Sequence, residues 1–455
     1  MKPMTVREIT NAVGGTLLCG DADTMITNVQ YDSRSVTEGS LFVPIRGERV
    51  DAHQFIGQCL QTGAAALTEY DVPQGTEKPC IRVDNTLSAL QKLAAAYRSQ
   101  FTGLKLIGVT GSVGKTSTKE MIAAALSEGL CMMKTSGNKN SQIGMPSTMF
   151  DIEPSHKAAV IEMGISEFGE MDRLCDISRP DMAVMTNIGN AHIENLKTQE
   201  NIRSEKLKIT NHFDKNGVLF VNGDDPLLRE LIGNQPFRTV SFGIGGHNDY
   251  YAEDIKNEGL HTVFTCVGGG SRKQFEIPAL GIHSVTNALV AIAIARTLGL
   301  QDDVIQAGLH QYQNAPMRQQ IRQLGRYTVI DDSYNASPEA TKVSLDVLKS
   351  IAGQKSIAVL ADMLELGEKS AVLHADVGTH LAEVGVDCLI AVGSLSQHTA
   401  AGAREHGCPT VLTAGNNDEA FALLQGQLED GCTVLVKGSR GMHTDEIVRK
   451  LMQSV

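Results

Sequence analysis

The chain has 455 residues, of which 42% are hydrophobic and 20% charged, which is typical of a globular protein of about three domains. Its formal net charge of −12 argues against non-specific binding to nucleic acid, which requires an excess of lysine and arginine. The apolar run at 288–295 is too short to span a bilayer, and residues 1–8 lack the apolar core of a signal peptide. Nine cysteines without a Cys-x-x-Cys pair indicate reduced thiols, so we expect a cytoplasmic protein without stable membrane insertion.

The first hundred residues mix short strands and helices. Strands are predicted at 28–31 and 40–45, and helices at 52–62 and 86–100. A polar turn that contains Ser33 and Arg34 joins the two strands. A serine and an arginine in such a turn can hold a phosphate or a base edge, but the residues alone favour an ordinary polar turn.

A strand, a glycine-rich turn and a helix follow one another from Leu104 to Leu126. In that context Gly-Lys-Thr binds phosphate: the backbone amides of the turn surround the anion, Lys115 reaches its outer oxygens and the Thr116 hydroxyl helps to hold Mg²⁺. The spacing is shorter than usual, since the common form needs glycine where Val109 stands. A plain strand-to-helix turn with a solvated lysine is the alternative, and the flanking pattern favours nucleotide binding.

From residue 104 onward strands alternate with helices, which predicts a parallel sheet with helices on its faces. One strand, at 158–162, ends in Glu162, and another, at 181–187, is followed by a loop that carries His192. Because ligands collect at the carboxyl ends of such strands, both side chains can reach the crevice of Lys115. Glu162 is then either a Mg²⁺ ligand, direct or through water, or a surface carboxylate, and His192 is either a ligand or a loop histidine satisfied by its neighbours.

The rest of the chain continues this alternation. A small antiparallel insertion or edge is predicted at 248–278, and a helix at 283–298. Further strands are predicted at 217–221, 237–242, 327–330, 356–360, 388–392, 410–412 and 433–436. Helices are predicted to begin near Pro338, Ser370, Ser396, Asp418 and Thr444. The last part is Rossmann-like but has no Gly-x-Gly-x-x-Gly sequence, so we predict no dinucleotide site there.

Several of these stretches together resemble the ATP-dependent Mur ligases of bacterial cell-wall synthesis. The short spacing of the phosphate loop, residues 110–117, is that family's usual form. The other stretches that carry the resemblance are the asparagine-rich loop 135–146, with Ser141 in place of a second asparagine, the motifs 331–338 and 362–367, and the N-terminal motifs 32–34, 39–47 and 51–55, with Ala52 in place of a usual glycine. The motifs at 331–338 and 362–367 are most similar to the family member that adds a terminal dipeptide.

The resemblance implies an α/β fold of three domains. These are a small substrate-binding domain at 1–102, a central P-loop domain with a parallel sheet at 103–315, and a C-terminal Rossmann-like ligase domain at 316–455. It implies an amide ligase that uses ATP and Mg²⁺ to join D-alanyl-D-alanine to UDP-N-acetylmuramoyl-tripeptide through an acyl phosphate, and that acts as a monomer. Another amide ligase of the same superfamily, with a different amino acid or a folate-type substrate, and a non-catalytic nucleotide switch remain the alternatives.

The resemblance also assigns roles to individual residues. The match is looser at Arg318, because neighbouring residues depart from the family's common pattern. Catalysis falls to Lys115, Glu162, His192 and Lys206. Nucleotide binding falls to Gly111, Ser112, Val113, Gly114, Lys115, Thr116, Ser117, Asn287, Arg318, Asp332, Tyr334 and Asn335. Metal binding falls to Thr116, Glu162, His192 and Lys206, and substrate binding to Ser33, Arg34, Asn138, Asn140, Lys437 and Arg440. For Lys437 and Arg440 a simple solvated charge is the competing interpretation.

Lys206 stands out within its own helical pattern. Positions 202, 206, 209 and 213 share one face, and the other three are apolar, so the lysine either reaches out to solvent or has a chemical role. A desolvated lysine has a lowered pKa, and its neutral amine can take up CO₂ to form a carbamate that binds Mg²⁺. The family resemblance implies a carbamylated lysine here, which would support a second metal with His192.

Overall fold

The computed structural model describes residues 1–47, 49–72 and 75–454. It contains three main α/β sheets, one after another along the chain, and each lies within one of the three predicted segments. The predicted three-domain α/β architecture is therefore confirmed. Among the described residues no helix is long and apolar enough to cross a membrane.

The N-terminal part is a five-stranded sheet with a separate two-stranded ribbon, β1 with β3. The strand order in the sheet is β2-β7-β6-β5-β4, and only the β2–β7 pair is antiparallel. Its elements are β1 Met4–Thr5, α1 Val6–Val13, β2 Thr16–Cys19, β3 Met25–Ile26, β4 Asn28–Gln30, β5 Ser40–Phe42, α2 Ile56–Thr62, β6 Ala65–Thr68, β7 Cys80–Arg82 and α3 Thr86–Ser99. The predicted strand at 40–45 stops at Phe42, and the predicted helix at 52–62 begins as a 3₁₀ turn, Ala52–Phe55.

Helix α3 joins the first part to the second. Its apolar face packs against central helices and includes the fully buried Tyr97, whose hydroxyl donates to the Ile152 carbonyl at 2.7 Å. The Asn85 side chain caps the helix by accepting from the Ser88 amide. Since α3 belongs in sequence to one part and packs on the next, the boundary near residue 102 remains a prediction.

The central part is a nine-stranded sheet in the order β16-β15-β14-β13-β12-β11-β8-β10-β9. In this order, all pairs from β14 to β9 are parallel. Strands β14, β15 and β16 pair with one another antiparallel and form the predicted antiparallel edge. Its elements are β8 Lys105–Thr110, α4 Lys115–Ser127, β9 Met132–Lys134, α5 Gly144–Met149, β10 Ala158–Glu162, α6 Glu170–Ser178, β11 Met182–Met185, α7 Ile193–Leu196, α8 Gln199–Leu207, β12 Val218–Asn222, α9 Pro226–Arg229, β13 Arg238–Phe242, β14 Tyr250–Glu258, β15 His261–Gly268, β16 Ser271–Ile277, α10 Ile282–Thr297 and α11 Asp302–Leu309.

The C-terminal part is a six-stranded sheet in the order β17-β18-β22-β19-β20-β21, parallel except at its β17–β18 edge. Its elements are β17 Gln320–Leu324, β18 Tyr327–Asp332, α12 Pro338–Ile351, β19 Ser356–Ala361, α13 Ser370–Glu383, β20 Cys388–Val392, α14 Ser396–Glu405, β21 Thr410–Ala414, α15 Asn417–Gln425, β22 Thr433–Lys437 and α16 Asp445–Gln453. Apolar clusters cover both faces of this sheet. Helix α12 starts as predicted, with the Ser337 cap followed by Pro338.

Candidate active site

The loop between β8 and α4 forms a phosphate cradle. Gly114, at φ 83°, ends the loop in a left-handed conformation that favours glycine. A Cβ at Gly111 would lie 1.9 Å from the Thr186 hydroxyl oxygen, so this position must also remain glycine. The loop amides and the start of α4 therefore surround a space in which a phosphate can bind.

The segment after β11 holds this cradle in place. The Val113 amide donates to the Asn187 side-chain oxygen at 2.8 Å, and the Thr186 hydroxyl donates to the Val113 carbonyl at 2.6 Å. Sequence reasoning missed Thr186 and Asn187 as site residues, although both stand at the end of a predicted strand. The Ser112 amide also donates to the Asn187 carbonyl, at 3.0 Å, so Thr186 and Asn187 fix the shape of the loop.

Two lysines converge on the cradle from different helices. Lys115 begins α4, and Lys206, near the end of α8, is almost fully buried. Both donate to the Gly111 carbonyl, at 2.8 and 2.9 Å respectively. Burial, and then the charge of Lys115, lower the pKa of Lys206 well below its usual range, and burial lowers the pKa of Lys115. The snorkelling interpretation of Lys206 is therefore wrong, because its amine is enclosed.

Glu162 lies at the end of β10 with only 2% of its surface exposed, so it is not a surface carboxylate. Its two oxygens accept from the Thr116 hydroxyl at 3.0 Å and from the Asn140 amide at 2.7 Å. Lys119, which the sequence analysis overlooked, is also buried and lies 3.9 Å from the same carboxylate. The structure thus places Glu162 beside the phosphate loop, as expected from its strand end, and adds Asn140 as a second partner of the carboxylate.

The donor set around Glu162 fits Mg²⁺ better than a transition metal. A hydroxyl and a carboxylate are hard oxygen donors, and Mg²⁺ usually takes only one or two protein oxygens beside water and phosphate. Across residues 1–47, 49–72 and 75–454, no three His, Cys, Asp or Glu side chains group as a ready-made metal site.

His192 follows β11 at φ 60° and contacts the C-terminal domain. Its Nδ1 lies 2.9 Å from an oxygen of Glu365, itself at φ 63°. Burial is the main cause of the lowered pKa of His192, and the charges of Lys115 and Lys206 contribute to it. The ring of His192 contacts Glu365, which belongs to the predicted motif at 362–367 but was given no role there.

The C-terminal domain supplies an aromatic and charged wall. The Arg318 guanidinium stacks over the Tyr334 ring at 4.2 Å. The backbone amide of Tyr334 donates to the carbonyl of Met317, a residue whose φ is 58°. Asp332, at the end of β18, accepts from the Lys437 amine at 2.5 Å, and both side chains are buried. Lys437 therefore lies at the end of strand β22 and not in a loop, and the solvated-charge interpretation is wrong for it.

A cavity of about 890 Å³ separates the two domains at this point. From the central domain it is lined by Val113, Gly114, Ser117, Asn187 and Asn287 among others, and from the C-terminal domain by Arg318, Asp332, Glu339 and Lys437 among others. Asn287 lies in α10 and accepts from the Thr118 hydroxyl at 2.8 Å. The structure thus brings six of the twelve predicted nucleotide-binding residues to one cavity large enough for a nucleotide.

The remaining predicted residues lie outside this cluster of contacts. Arg34 is exposed and pairs with Asp32, which also caps the 3₁₀ turn that contains Ser33. This Arg34 pairing lowers the pKa of Asp32 to about 2. Asn138 is exposed, and its carbonyl accepts from the Asn140 amide at 2.7 Å. Arg440 is half exposed and lies near Met317 and Asp445.

The family descriptions that match the chain cover each of its three parts. The "Mur ligase family, catalytic domain" matches residues 25–98, the "Mur ligase middle domain" residues 109–295, and the "Mur ligase, glutamate ligase domain" residues 317–440.

Full-length relatives agree with these matches. The chain is 38% identical to the UDP-N-acetylmuramoyl-tripeptide–D-alanyl-D-alanine ligase of Bacillus subtilis, over 99% of this chain and 98% of the relative. It is 33% identical to the Escherichia coli enzyme of the same name, over 100% and 99%.

Solved structures give the same result. A MurF crystal structure from Acinetobacter baumannii aligns with a TM-score of 0.92 at 32% identity, over 100% of this chain and 99% of that one. MurF ligase from Thermotoga maritima, crystallised in complex with ADP, aligns with a TM-score of 0.83 at 28% identity, over 94% and 97%.

Proposed function

This chain belongs to the Mur ligase family, and we propose that it uses ATP to join D-alanyl-D-alanine to UDP-N-acetylmuramoyl-tripeptide in the synthesis of peptidoglycan precursors. The observation that carries the proposal is the two-domain cavity, in which Val113 and Gly114 of the phosphate cradle face Arg318 and Asp332. Relatives of that name match almost the whole chain, and a related MurF ligase binds ADP.

The reaction must activate a carboxylate, because a carboxylate is a poor acyl donor. Transfer of the γ-phosphoryl group of ATP to the terminal carboxylate of the tripeptide gives an acyl phosphate and ADP. The amine of D-alanyl-D-alanine then attacks, and the tetrahedral intermediate expels phosphate. The protein contributes positioning and charge: the loop amides and Lys115 orient and neutralise the phosphates, and the cavity between the domains excludes water.

We assign Mg²⁺ to Thr116 and Glu162, whose oxygens lie 3.0 Å apart at the edge of the cradle. When bound there, the ion neutralises charge on the phosphoryl oxygens. Asn140 donates to the second Glu162 oxygen and thereby orients the carboxylate, so it acts through Glu162 as well as at the peptide end. His192 and a carbamylated Lys206 are our candidates for a second ion. The lowered pKa and near-complete burial of Lys206 favour the neutral amine that reacts with CO₂.

The substrate-binding roles remain proposals of the same kind. We place Ser33 and Arg34 along the uridine nucleotide, Asn138 near the reacting peptide end, and Arg440 at the dipeptide side. For Lys437 we propose a different role, in which it orients Asp332 from within the sheet. We also propose domain boundaries near 102 and 315, a monomer, and a cytoplasmic location, where ATP and UDP-linked precursors are present and the nine free cysteines stay reduced.

Phosphate release with defined substrates tests the proposed function. We expect release from ATP and Mg²⁺ only when UDP-N-acetylmuramoyl-tripeptide and D-alanyl-D-alanine are both present, together with a product of the corresponding mass. Release with other amino acids or with a folate substrate would identify a different ligase. Release without either co-substrate would identify a nucleotide switch.

A further inference from the structure

One pair of side chains ties the C-terminal domain to the loop that supports the phosphate cradle. The Asn190 side-chain amide donates to Oε1 of Glu339 at 2.9 Å, and the Asn190 backbone amide donates to the same oxygen at 3.4 Å. Asn190 follows β11 in the central domain, and Glu339 lies in the first turn of α12. We propose that this Asn190–Glu339 latch forms when the domains close and that Glu339 is a positioning residue for the ligase reaction.

The loop that Asn190 belongs to is connected directly to the cradle. Its first residue, Asn187, holds Val113, and the Gly189 amide donates to the Ser112 hydroxyl at 2.9 Å. Two residues beyond Asn190 stands His192. A contact at Asn190 therefore restrains both the cradle and the histidine, so closure of the C-terminal domain is transmitted to the site of phosphoryl transfer.

The local fit of Glu339 supports a specific contact. The carboxylate lies against the backbone at Gly189, where a Cβ would be only 3.1 Å from Oε1. The helix N-terminus on which Glu339 stands favours its negative charge. The latch therefore joins a charged acceptor to two amide donors, which is stronger than a neutral hydrogen bond.

The second oxygen of Glu339 links the latch to the ligand. Oε2 is buried and has no hydrogen-bond partner among the described residues, although Glu339 lines the nucleotide cavity. A buried carboxylate oxygen without a donor is unfavourable. A hydroxyl of the bound nucleotide, or a water beside it, would satisfy this oxygen. The latch is consequently stronger with nucleotide present, which makes closure depend on the ligand.

This inference rests on the proposed function, but its first measurement does not need turnover. Small-angle scattering is recorded with and without a non-hydrolysable ATP analogue, Mg²⁺ and UDP-N-acetylmuramoyl-tripeptide. We expect wild type and the exposed control Glu368→Ala to compact on ligand addition, and Asn190→Ala and Glu339→Ala to compact less. Full compaction of either alanine variant would overturn the latch, whereas failure of wild-type phosphate release would overturn only the ligase assignment.

Kinetics separate positioning from simple loss of stability. We expect each alanine variant to lose about tenfold in kcat, equivalent to ~1.4 kcal/mol, with a smaller change in the KM for ATP and an unchanged melting temperature. Because both variants lack the same side-chain hydrogen bond, Asn190→Ala/Glu339→Ala should be no slower than the slower single variant. If the fold-losses in kcat of the two single variants multiply in the double variant, the residues act independently and the proposal is refuted.

A polarity swap gives the sharpest control. Asn190→Asp places two carboxylates together and should be slower than Asn190→Ala, whereas Glu339→Gln keeps an acceptor oxygen and should lose little. The pair Asn190→Asp/Glu339→Gln restores an amide-to-carboxylate hydrogen bond with reversed direction. We expect it to recover most of the kcat and the compaction. A double variant as impaired as Asn190→Asp alone would contradict the latch.

Discussion

Lys115 and Lys206 donate to the same carbonyl oxygen, that of Gly111, at 2.8 and 2.9 Å. Two ammonium groups on one oxygen repel each other, and water screens the repulsion only weakly because Lys206 is buried and Lys115 is partly buried. An arriving phosphate relieves it by adding negative charge, and loss of a proton from Lys206 relieves it by removing positive charge. The pair therefore supports the proposed difference in role, in which Lys115 is the cation for phosphate and Lys206, whose pKa is lowered further, is the amine that becomes neutral.

We predict that Lys115→Ala abolishes ligation and leaves the fold intact. The ammonium is needed where charge develops on the transferring phosphoryl group, and such contacts contribute several kcal/mol. Phosphate release and circular dichroism on the same preparation measure the two effects. The exposed Lys215→Ala is a matched control and should retain full activity. Turnover of a folded Lys115→Ala within about tenfold of wild type, a loss of only ~1.4 kcal/mol, would show the assignment to be wrong.

Lys206→Ala should also lose most activity, but for a different reason that can be reversed. If the functional group is a carbamate, a small carboxylate can occupy the vacated space and supply the missing oxygens. We therefore expect acetate or formate to restore part of the activity to Lys206→Ala and none to Lys115→Ala. Carbon-13 NMR with labelled bicarbonate should show a carbamate signal in wild type that is missing from Lys206→Ala. Near-normal turnover of Lys206→Ala with unchanged Mg²⁺ dependence would refute the role.

The lowered pKa of Lys206 predicts a pH dependence of stability. Between that lowered pKa and the ordinary value of lysine, the unfolded chain binds more protons than the folded one, so the free energy of unfolding rises with pH. Below the lowered pKa the folded protein bears the full cost of a buried ammonium. Lys206→Met lacks this cost and also relieves Lys115, so its stability advantage over wild type should be largest at acidic pH and shrink as pH rises.

Urea denaturation of both proteins in CO₂-free buffer, from mildly acidic to alkaline pH, measures this difference. Carbon dioxide must be excluded because a carbamate would stabilise the folded state of wild type alone. A stability difference between Lys206→Met and wild type that does not vary with pH would mean that Lys206 titrates normally.

Much of the fold was predictable because the spacing of apolar residues along the sequence reflects which side chains are buried. Strand β10 and helix α12 lie within a residue or two of their predicted positions, the first as a continuous apolar run and the second through its Ser337 cap and Pro338. Short strands such as β1 and β3, with two residues each, carry no periodic signal and were missed. They exist only because they pair with each other, which is a tertiary contact.

The candidate site was predictable where local motifs define it and not where distant segments meet. The phosphate loop and Glu162 were predicted to lie close together because each follows a strand of the same parallel sheet. The hydrogen bond from Thr116 to Glu162 agrees with this. Glu339 and Glu365 were not identified, because nothing in their local sequence indicates which loop of another domain they contact. The predicted strand at 433–436 stops one residue before Lys437, but the backbone pairing of Lys437 with Asp332 places it in the sheet.

The buried pair of Lys437 and Asp332 leads to a prediction that separates stability from binding. Their side chains are 3% and 7% exposed, so neither charge can be solvated if its partner is removed. Lys437→Met should therefore destabilise the protein by about 3–5 kcal/mol, whereas Lys437→Met/Asp332→Asn should recover most of that stability. Nucleotide affinity should stay low in the double variant, because Asp332 lines the cavity and its carboxylate is gone. Denaturation midpoints and calorimetric titration with ADP test the two parts, and a Lys437→Met protein as stable as wild type would show that Asp332 does not need the lysine to remain buried.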